Sequence, residues 1–305
     1  MKYLLLGAEG QLGKAFKYLF DSKEIEYIGY DLPELDIFDY SNLSEIIANY
    51  RPDVIINCAS YNNVDLAELN YEPALKTNSV AVDNLVRLSE KYSIKLVHFS
   101  TDYVFSGIKH MPGLYSEEDM PDPMNNYGRS KLSGERLIQN YCNNYLILRL
   151  SWLYGNSSNN FVYKALSWAH ENKIVLASDD EISVPTSTRL VADITLQSIN
   201  NSLTGLFHLV NTGFASRFEW VKEIYELSNL KTIVRPVKMQ YFKLPAIRPN
   251  FSALSNEKIS NALKIQIPHW KDELSRFLQI QSENLEPNKK YKRLKQETGI
   301  NQLDF

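Results

Sequence analysis

The feature that most constrains the fold is an alternation of short apolar runs and helical patterns through the first half of the chain. Apolar runs at 3–6, 54–59, 95–100 and 145–150 lack regular polar alternation, and stretches with helical spacing separate them. Such runs are typical of parallel strands that are buried on both faces. The sequence therefore predicts an α/β fold, a doubly wound parallel sheet of the Rossmann type with helices on both faces.

The second half of the chain follows this rhythm less closely. We expect residues 1–151, together with about 174–211, to form a dinucleotide-binding Rossmann domain. Residues 152–173 and 212–280 would form a smaller C-terminal substrate lobe over the edge of the sheet, and 281–305 a polar, solvated tail. Within the lobe, Ser216 to Glu219 has the pattern of a capping box that opens a helix. In the first half, Pro73 opens a long predicted helix that runs to about Tyr92.

Charge and cysteine content exclude several classes of function. The 305 residues are 44% hydrophobic, enough for a sizeable core, and the net charge of −3 does not favour a nucleic-acid or membrane partner. No apolar stretch has the length of a membrane span or of a signal-peptide core. Cys58 and Cys142 have no metal-ligand spacing and are too few for a disulfide framework, so we expect a cytoplasmic protein.

A glycine-rich turn joins the first predicted strand to the first helix. Gly7, Gly10 and Gly13 are spaced G-x-x-G-x-x-G, with Gln11 and Leu12 between the last two. Missing side chains let a pyrophosphate approach the backbone, and the N–H groups at the start of the helix bind the anion. Three glycines alone are weak evidence, but a strand before and a helix after them predict a dinucleotide site.

Asp31 ends the second predicted strand, 18 residues after Gly13. A carboxylate here can accept hydrogen bonds from the ribose hydroxyls of an adenosine. It would also repel a 2′-phosphate, and residues 24–35 contain no Lys or Arg. The sequence thus predicts NADH or NADPH as cofactor, with NADH slightly favoured. The alternative is that Asp31 only starts the turn before Leu32 and Pro33.

Tyr127 and Lys131 lie four residues apart on one face of a predicted helix, and Thr101 ends the strand before it. A phenol beside an ammonium group suits proton donation to a ketone oxygen, and the Thr101 hydroxyl could donate to the same oxygen. The spacing alone is common by chance: Tyr291 and Lys295 repeat it in the polar tail, where no strand or glycine turn is near. The site is predicted because Thr101 precedes Tyr127 and Lys131 at a sheet edge.

The motifs around these residues resemble those of dTDP-4-dehydrorhamnose reductases, which are extended short-chain dehydrogenases. The similar segments include STDYVF at 100–105, NNYGRSKLSGE at 125–135, RLSWLYG at 149–155 and RPNFSALSNEK at 248–258. They occur in the family's order over roughly residues 1–280. The resemblance implies reduction of a nucleotide-linked 4-keto-6-deoxy sugar, dTDP-4-dehydrorhamnose to dTDP-L-rhamnose.

The resemblance also implies a role for each matching residue. Thr101, Tyr127 and Lys131 would be catalytic, with Lys131 holding the nicotinamide ribose and lowering the pKa of Tyr127. The cofactor would be lined, besides these and the glycine turn (Gly7, Gly10, Gln11, Leu12, Gly13), by Asp31, Asp36, Ile37, Ser60, Tyr61, Asn62, Asn78 and Phe99. Substrate contacts would come from Thr101, Asp102, Trp152, Asn160 and Arg248.

Several points remain open at this stage. Some family members hold a metal at a dimer contact through a glutamate, but the corresponding residue here is Ala15, so no metal is implied and a homodimer is only an expectation. The segment DDEISVPTS at 179–187 departs from the Gln and Gly of many members, which leaves the nucleotide and the sugar open. A nucleotide-sugar dehydratase is less similar, because Tyr103 follows Asp102 instead of a glutamate. A nucleotide-sugar 4-epimerase and a non-catalytic regulatory subunit, like that of methionine adenosyltransferase, remain alternatives.

Overall fold

The computed structural model describes residues 1–109, 113–157 and 160–283. Its strands are β1 Tyr3–Leu6, β2 Tyr27–Tyr30, β3 Val54–Asn57, β4 Lys95–Thr101, β5 Tyr145–Leu150, β6 Leu153–Tyr154, β7 Ile174–Ser178, β8 Ile182–Ser183, β9 Thr186–Ser187, β10 Gly205–His208, β11 Ala215–Ser216 and β12 Ile233–Val237. Its α-helices are α1 Gln11–Ser22, α2 Tyr40–Tyr50, α3 Val64–Leu69, α4 Tyr71–Leu75, α5 Ala81–Tyr92, α6 Asn126–Tyr141, α7 Phe161–Glu171, α8 Thr188–Asn200, α9 Arg217–Leu227, α10 Glu257–Leu263 and α11 Trp270–Glu283.

Six parallel strands form the central sheet in the order β10-β5-β4-β3-β1-β2. The direction in which successive strands are added to the sheet reverses between β1 and β3. The carboxyl ends of these two strands therefore border the crevice in which doubly wound folds bind ligands. All four residues of β1 are buried, as are all seven of β4, because helices cover both faces of the sheet. The expected α/β fold with a doubly wound parallel sheet is confirmed.

Alternate residues of the central strands fill two apolar layers. On one face Leu5 and Val97 pack with Phe16 of α1 and with residues of α8. On the other face Leu4 and Leu96 pack with residues of α2, α5 and α6. Burying one such side chain is worth about 1.5–3 kcal/mol, so these layers hold the carboxyl ends of the strands in a fixed frame.

A separate apolar cluster lies in the C-terminal half and packs α7, α9 and α11 around three buried tryptophans, Trp168, Trp220 and Trp270. The strand β7 pairs in parallel with β12, outside the six-stranded sheet, and contributes Val175 to this cluster. The expectation that 174–178 belongs to the Rossmann domain is therefore wrong, because this strand pairs with β12 and not with the central sheet. Conversely, Ile259 and Ile267 pack into the Rossmann core although they were assigned to the lobe.

Two local predictions have different outcomes. The capping box at the start of α9 is confirmed, since the Ser216 side chain accepts from the Glu219 N–H and Glu219 reaches back to the Ser216 N–H. The long helix expected from Pro73 to about Tyr92 is interrupted: α4 and α5 are separated by a π-helical turn at Lys76–Val80. Such turns insert one extra residue, and this one turns Asn78 toward the sheet edge.

None of the helices within residues 1–109, 113–157 and 160–283 has the combined length and apolar character that a membrane crossing requires. Tyr291, Lys295 and the tail beyond residue 283 lie outside the described residues.

Candidate active site

One large cavity, of about 870 Å³, opens along the carboxyl ends of the central strands and extends under the C-terminal lobe. Most of the predicted site residues line it: Gly7, Gly10, Gln11, Leu12, Asp31, Asp36, Ile37, Ser60, Tyr61, Asn62, Phe99, Thr101, Asp102, Tyr127, Lys131, Trp152, Asn160 and Arg248. Gly13 and Asn78 lie behind this lining. The predicted residues therefore come together in space from nine separate segments of the chain, spread between residues 7 and 248.

The glycine turn forms the floor of one end of the cavity. Gly7 has φ +73°, and a Cβ there would lie 2.5 Å from the Ala59 nitrogen, so only glycine fits. A Cβ on Gly13 would lie 2.1 Å from the Gly7 carbonyl oxygen, which brings α1 directly against the turn. Gly10 caps α1 without a side chain, leaving the first N–H groups of the helix open toward the cavity. These features fit the pyrophosphate of a dinucleotide.

Asp31 lies at the end of β2, beside this turn. One carboxylate oxygen accepts a hydrogen bond from the Glu9 N–H at 2.8 Å, and the other accepts from the Leu32 N–H at 2.8 Å. The side chain is partly exposed and lines the cavity. Asp31 thus fixes the glycine turn against β2, and its carboxylate keeps lone pairs that can accept further hydrogen bonds at the cavity wall.

Asn78 acts from behind the cavity wall. Its side-chain oxygen accepts from the Tyr61 N–H at 2.9 Å and from the Ser60 hydroxyl at 3.1 Å. Its amide group donates to the Tyr61 carbonyl at 2.8 Å and to the Ser130 hydroxyl at 2.9 Å. The side chain is 1% exposed, so Asn78 shapes the loop after β3 and ties it to α6.

Lys131 is buried and projects from α6 toward the end of β4. Its ammonium group donates to the Phe99 carbonyl oxygen at 2.6 Å and to the Ser60 hydroxyl at 3.5 Å. Burial lowers the pKa of Lys131 to about 8, while the Glu135 carboxylate acts in the opposite direction. A lysine with this pKa is mostly charged at neutral pH and can bind a hydroxyl-rich group.

Tyr127 has its phenol beside the Thr101 hydroxyl. Burial raises the pKa of Tyr127 to about 12, the Thr101 hydroxyl lowers it, and the Asp102 carboxylate raises it further. The predicted lowering by Lys131 is not seen, because burial dominates and the Lys131 ammonium group is turned to Phe99. A protonated Tyr127 is nevertheless what donation to a ketone oxygen requires.

Asp102 is 2% exposed and does not present a free carboxylate to the cavity. One oxygen accepts from the hydroxyls of Ser183 and Ser252, and the other accepts from the Thr101 hydroxyl. Burial raises the pKa of Asp102 to about 6, although these three hydrogen bonds oppose the shift.

The lobe side of the cavity is built on stacked side chains. Trp152 has φ +41°, an uncommon conformation for a bulky residue. Its ring stacks against the Trp220 ring, with centroids 5.4 Å apart and an angle of 9°, and the Arg217 guanidinium lies 3.7 Å from the Trp152 centroid and 5.5 Å from the Trp220 centroid. Arg217 in turn pairs with the buried Glu181 carboxylate at 3.2 Å, and Glu181 also accepts from the Tyr103 hydroxyl at 3.1 Å.

Two predicted substrate residues have their polar groups engaged within the protein. Arg248 forms a two-point ion pair with Asp65, at 3.0 and 2.6 Å. Asn160 caps α7, accepting from the Val162 N–H, and donates to the Gly155 carbonyl at 2.8 Å. Both line the cavity, but their first structural role is to fix loops of the lobe.

Five charged residues of the lining were not predicted from the sequence as site residues: Asp65, Lys76, Lys164, Glu181 and Arg217. Two of them stand in segments that the sequence analysis had marked. Glu181 lies in the segment 179–187, which departs from the family pattern, and Arg217 follows Ser216, which caps α9. Neither feature indicates a partner 36 residues away. Within the described part of the chain, no group of three or more His, Cys, Asp or Glu side chains is arranged to hold a metal ion.

Comparison with known proteins places these features among relatives of one kind. A family model described as the RmlD substrate binding domain matches residues 1–282. The dTDP-4-dehydrorhamnose reductase of Escherichia coli (strain K12) is 32% identical over 301 residues, covering 91% of this chain and 97% of the relative. The spore coat polysaccharide biosynthesis protein SpsK of Bacillus subtilis (strain 168) is 32% identical over 281 residues, covering 92% and 98%.

Solved structures agree with the sequence relatives. A dTDP-4-dehydrorhamnose reductase from Clostridium acetobutylicum superposes with a TM-score of 0.89 at 31% identity, over 92% of this chain and 100% of the other. One from Bacillus anthracis, in complex with NADP, gives 0.87 at 35% identity, over 91% and 98%. A UDP-glucose 4-epimerase from Thermus thermophilus, 18% identical with a TM-score of 0.74 over 86% and 92%, shares the fold alone.

Proposed function

The chain belongs to the dTDP-4-dehydrorhamnose reductase family, and we propose that it reduces the ketone of a nucleotide-linked 4-keto-6-deoxy sugar. The proposed substrate is dTDP-4-dehydrorhamnose, the product dTDP-L-rhamnose, and the cofactor NADH or NADPH. The observation that carries the proposal is the meeting of Thr101, Tyr127 and Lys131 in one cavity with the glycine turn. A phenol, a hydroxyl and an ammonium group beside a dinucleotide cradle suit the reduction of a carbonyl.

Each catalytic residue has a proposed task. When bound, the nicotinamide cofactor supplies a hydride to the keto carbon. Tyr127 donates its proton to the keto oxygen, which its raised pKa allows across the neutral range. Lys131 binds the ribose hydroxyls and stabilises the phenolate that remains. Thr101 orients the keto oxygen toward Tyr127.

We propose the remaining cavity residues as two binding surfaces. The cofactor surface comprises the glycine turn, Asp31, Asp36, Ile37, Ser60, Tyr61, Asn62 and Phe99, with Asn78 supporting it from behind. On the substrate surface, the Trp152 ring offers a flat apolar wall to the sugar, and Arg248 offers charge to the diphosphate beyond its pair with Asp65. Asn160 contributes by holding the start of α7, and Asp102 through Thr101.

The division into two parts is also a proposal. The six-stranded sheet and its helices would bind the cofactor, while β7, β12, α7, α9 and α11 would form the substrate lobe. The two cysteines are free thiols, which suits the reducing cytoplasm that we propose as the location. A homodimer is the proposed solution state, and light scattering of the purified chain would measure it.

Turnover of the purified chain with dTDP-4-dehydrorhamnose tests the proposal. We expect one reduced cofactor consumed per product formed, and about 10²- to 10⁴-fold slower turnover in Tyr127→Phe with cofactor binding retained. Tyr141→Phe, on the same helix but 64% exposed, is the matched control and should match wild type. Conversion without net cofactor consumption would favour the 4-epimerase. Cofactor binding without any turnover would favour the regulatory subunit.

A further inference from the structure

The carboxylate of Asp102 is held by two serines from distant parts of the chain. Ser183 of β8 and Ser252 donate their hydroxyl protons to the same oxygen, Oδ2, at 2.7 and 2.5 Å. Both serines are fully buried, at 0% and 1% exposed. A buried carboxylate needs such donors, and two donors on one oxygen fix the orientation of the whole group. The other oxygen, Oδ1, is thereby directed at Thr101.

Thr101 donates its only hydroxyl proton to this oxygen. Its hydroxyl donates to Oδ1 of Asp102 at 3.1 Å and accepts from the Tyr103 N–H at 3.1 Å. A hydroxyl has one proton and two acceptor positions, so only one acceptor position remains. That position is available to the phenol of Tyr127, which lies beside Thr101. In this state Thr101 cannot donate a hydrogen bond to a keto oxygen.

We propose that Asp102, positioned by Ser183 and Ser252, is a proton switch that decides whether Thr101 donates a hydrogen bond to the keto oxygen of the substrate. When Asp102 is protonated, its Oδ1–H donates to the Thr101 oxygen, and the Thr101 proton turns to the cavity. When Asp102 is ionised, the Thr101 proton returns to Asp102 and the keto oxygen is activated by Tyr127 alone. Asp102 is thus a positioning residue, and its role rests on the proposed reductase function.

The surroundings of Asp102 set the range in which the switch operates. Burial raises its pKa to about 6, and the hydrogen bonds from Ser252, Ser183 and Thr101 lower it. The Glu181 carboxylate raises it further, and the phenols of Tyr103 and Tyr127 lie beside it. Arg217 and Arg248 act on the neighbouring Tyr103 phenol. The group therefore titrates near pH 6.

The pH dependence of kcat for ketone reduction, at saturating substrate and cofactor, tests the switch. In wild type we expect kcat to fall as the pH rises through about 6. Asp102→Asn should lose this transition, because the serines hold the amide oxygen in place and the amide N–H₂ donates permanently to Thr101. Ser183→Ala and Ser252→Ala each remove a hydrogen bond that lowers the pKa of Asp102. In each variant we therefore expect the transition in kcat to move to higher pH. A rise of one pH unit in the transition would increase kcat at pH 7 about fivefold.

Ser198→Ala is the matched control. Ser198 is a fully buried serine of α8 that donates to the Ile194 carbonyl and does not contact Asp102, so its variant should keep the wild-type pH profile. Thermal unfolding of each variant identifies any that fail to fold. If one serine variant does, the other still tests the proposal.

A ¹³C NMR titration of carboxyl-labelled aspartates, without substrate, separates this proposal from the proposed function. The Asp102 signal is the one missing in Asp102→Asn, and its pKa should rise in both serine variants. If that pKa rises while the pH profile of kcat stays in place, the switch is overturned and the reductase stands. If wild type shows no turnover, the reductase and the role of the switch are both overturned, whatever Asp102 does in the NMR titration.

Discussion

The two ends of the cavity are built in different ways. At the cofactor end, the structure depends on backbone geometry within short segments: the turn from Gly7 to Gly13, and the carboxylate of Asp31 on the Glu9 N–H. At the lobe end, it depends on side-chain pairs that join distant segments, such as Glu181 with Arg217 and Asp65 with Arg248. The first end is a property of a local sequence, and the second is a property of the assembled fold.

Because of this difference, we expect the two ends to tolerate different amino-acid substitutions. A backbone cradle for a pyrophosphate depends on close backbone packing, so an added Cβ disturbs it most where it would overlap another backbone atom. A surface made of buried ion pairs and stacked rings can exchange its members, provided that no charge is left unpaired. We therefore expect cofactor binding and sugar binding to respond to separate sets of substitutions.

The largest expected effect is at the cofactor end. Gly13→Ala places a Cβ at 2.1 Å from the Gly7 carbonyl oxygen, so α1 must move away from the turn. Gly10→Ala meets the same oxygen at 3.2 Å and needs only a small adjustment. We expect cofactor affinity, measured by calorimetry, to fall by at least roughly 1000-fold in Gly13→Ala and about tenfold or less in Gly10→Ala. Equal losses would show that the turn is not a rigid cradle.

The same contrast explains which parts could be predicted from the sequence. The strands of the sheet, the glycine turn and the pairing of Tyr127 with Lys131 follow from apolar runs and fixed spacing. The π-helical turn at Asn78 carries no such signal, because it arises where α4, α5 and α6 pack together. The pairing of β7 with β12 also has no signal in the local sequence. The contacts of Asp102 with Ser183 and Ser252 span 81 and 150 residues, and nothing local encodes them.

The second prediction concerns the lobe end. Arg217→Met leaves the Glu181 carboxylate buried without its cation and removes the stack on Trp152. We expect a loss of about 3 kcal/mol in the free energy of unfolding, and a higher KM for the sugar with unchanged cofactor affinity. Adding Glu181→Gln removes the unpaired charge and should restore much of the stability. A fall in cofactor affinity equal to the change in KM would contradict the separation of the two ends.

A third, smaller effect is the pH dependence of stability that Asp102 imposes. Its pKa is raised by burial from 3.8 to about 6 in the folded chain, so the folded state binds a proton that the unfolded state has released. This contribution is fully present below about pH 4 and is lost as the pH rises through 6, amounting to roughly 2–3 kcal/mol. Thermal unfolding should show Asp102→Asn gaining stability relative to wild type between pH 4 and 7. A constant difference across that range would rule out a raised pKa.

The smallest expected effect is the choice between cofactors. Asp31 lines the cavity and is our proposed partner of the cofactor ribose, from which we expect a modest preference for NADH, although the Bacillus anthracis relative was solved with NADP. Asp31→Ala removes the repulsion of a 2′-phosphate and should shift the ratio of kcat/KM values toward NADPH by several fold. Asp36→Ala, which lies farther along the same loop, should shift it less. A wild type that strongly prefers NADPH would show that another residue binds the phosphate.

Isotopic labelling can follow the proposed transfer of a hydride from the cofactor to a keto carbon of the sugar. Reduced cofactor carrying deuterium at its transferable position would be incubated with dTDP-4-dehydrorhamnose, and the product analysed by NMR. We expect one deuterium at C4 of the rhamnose for each cofactor oxidised, and no transfer within the same time in Tyr127→Phe. A product without deuterium, or deuterium that stays on the cofactor while the sugar changes configuration, would contradict the proposed transfer.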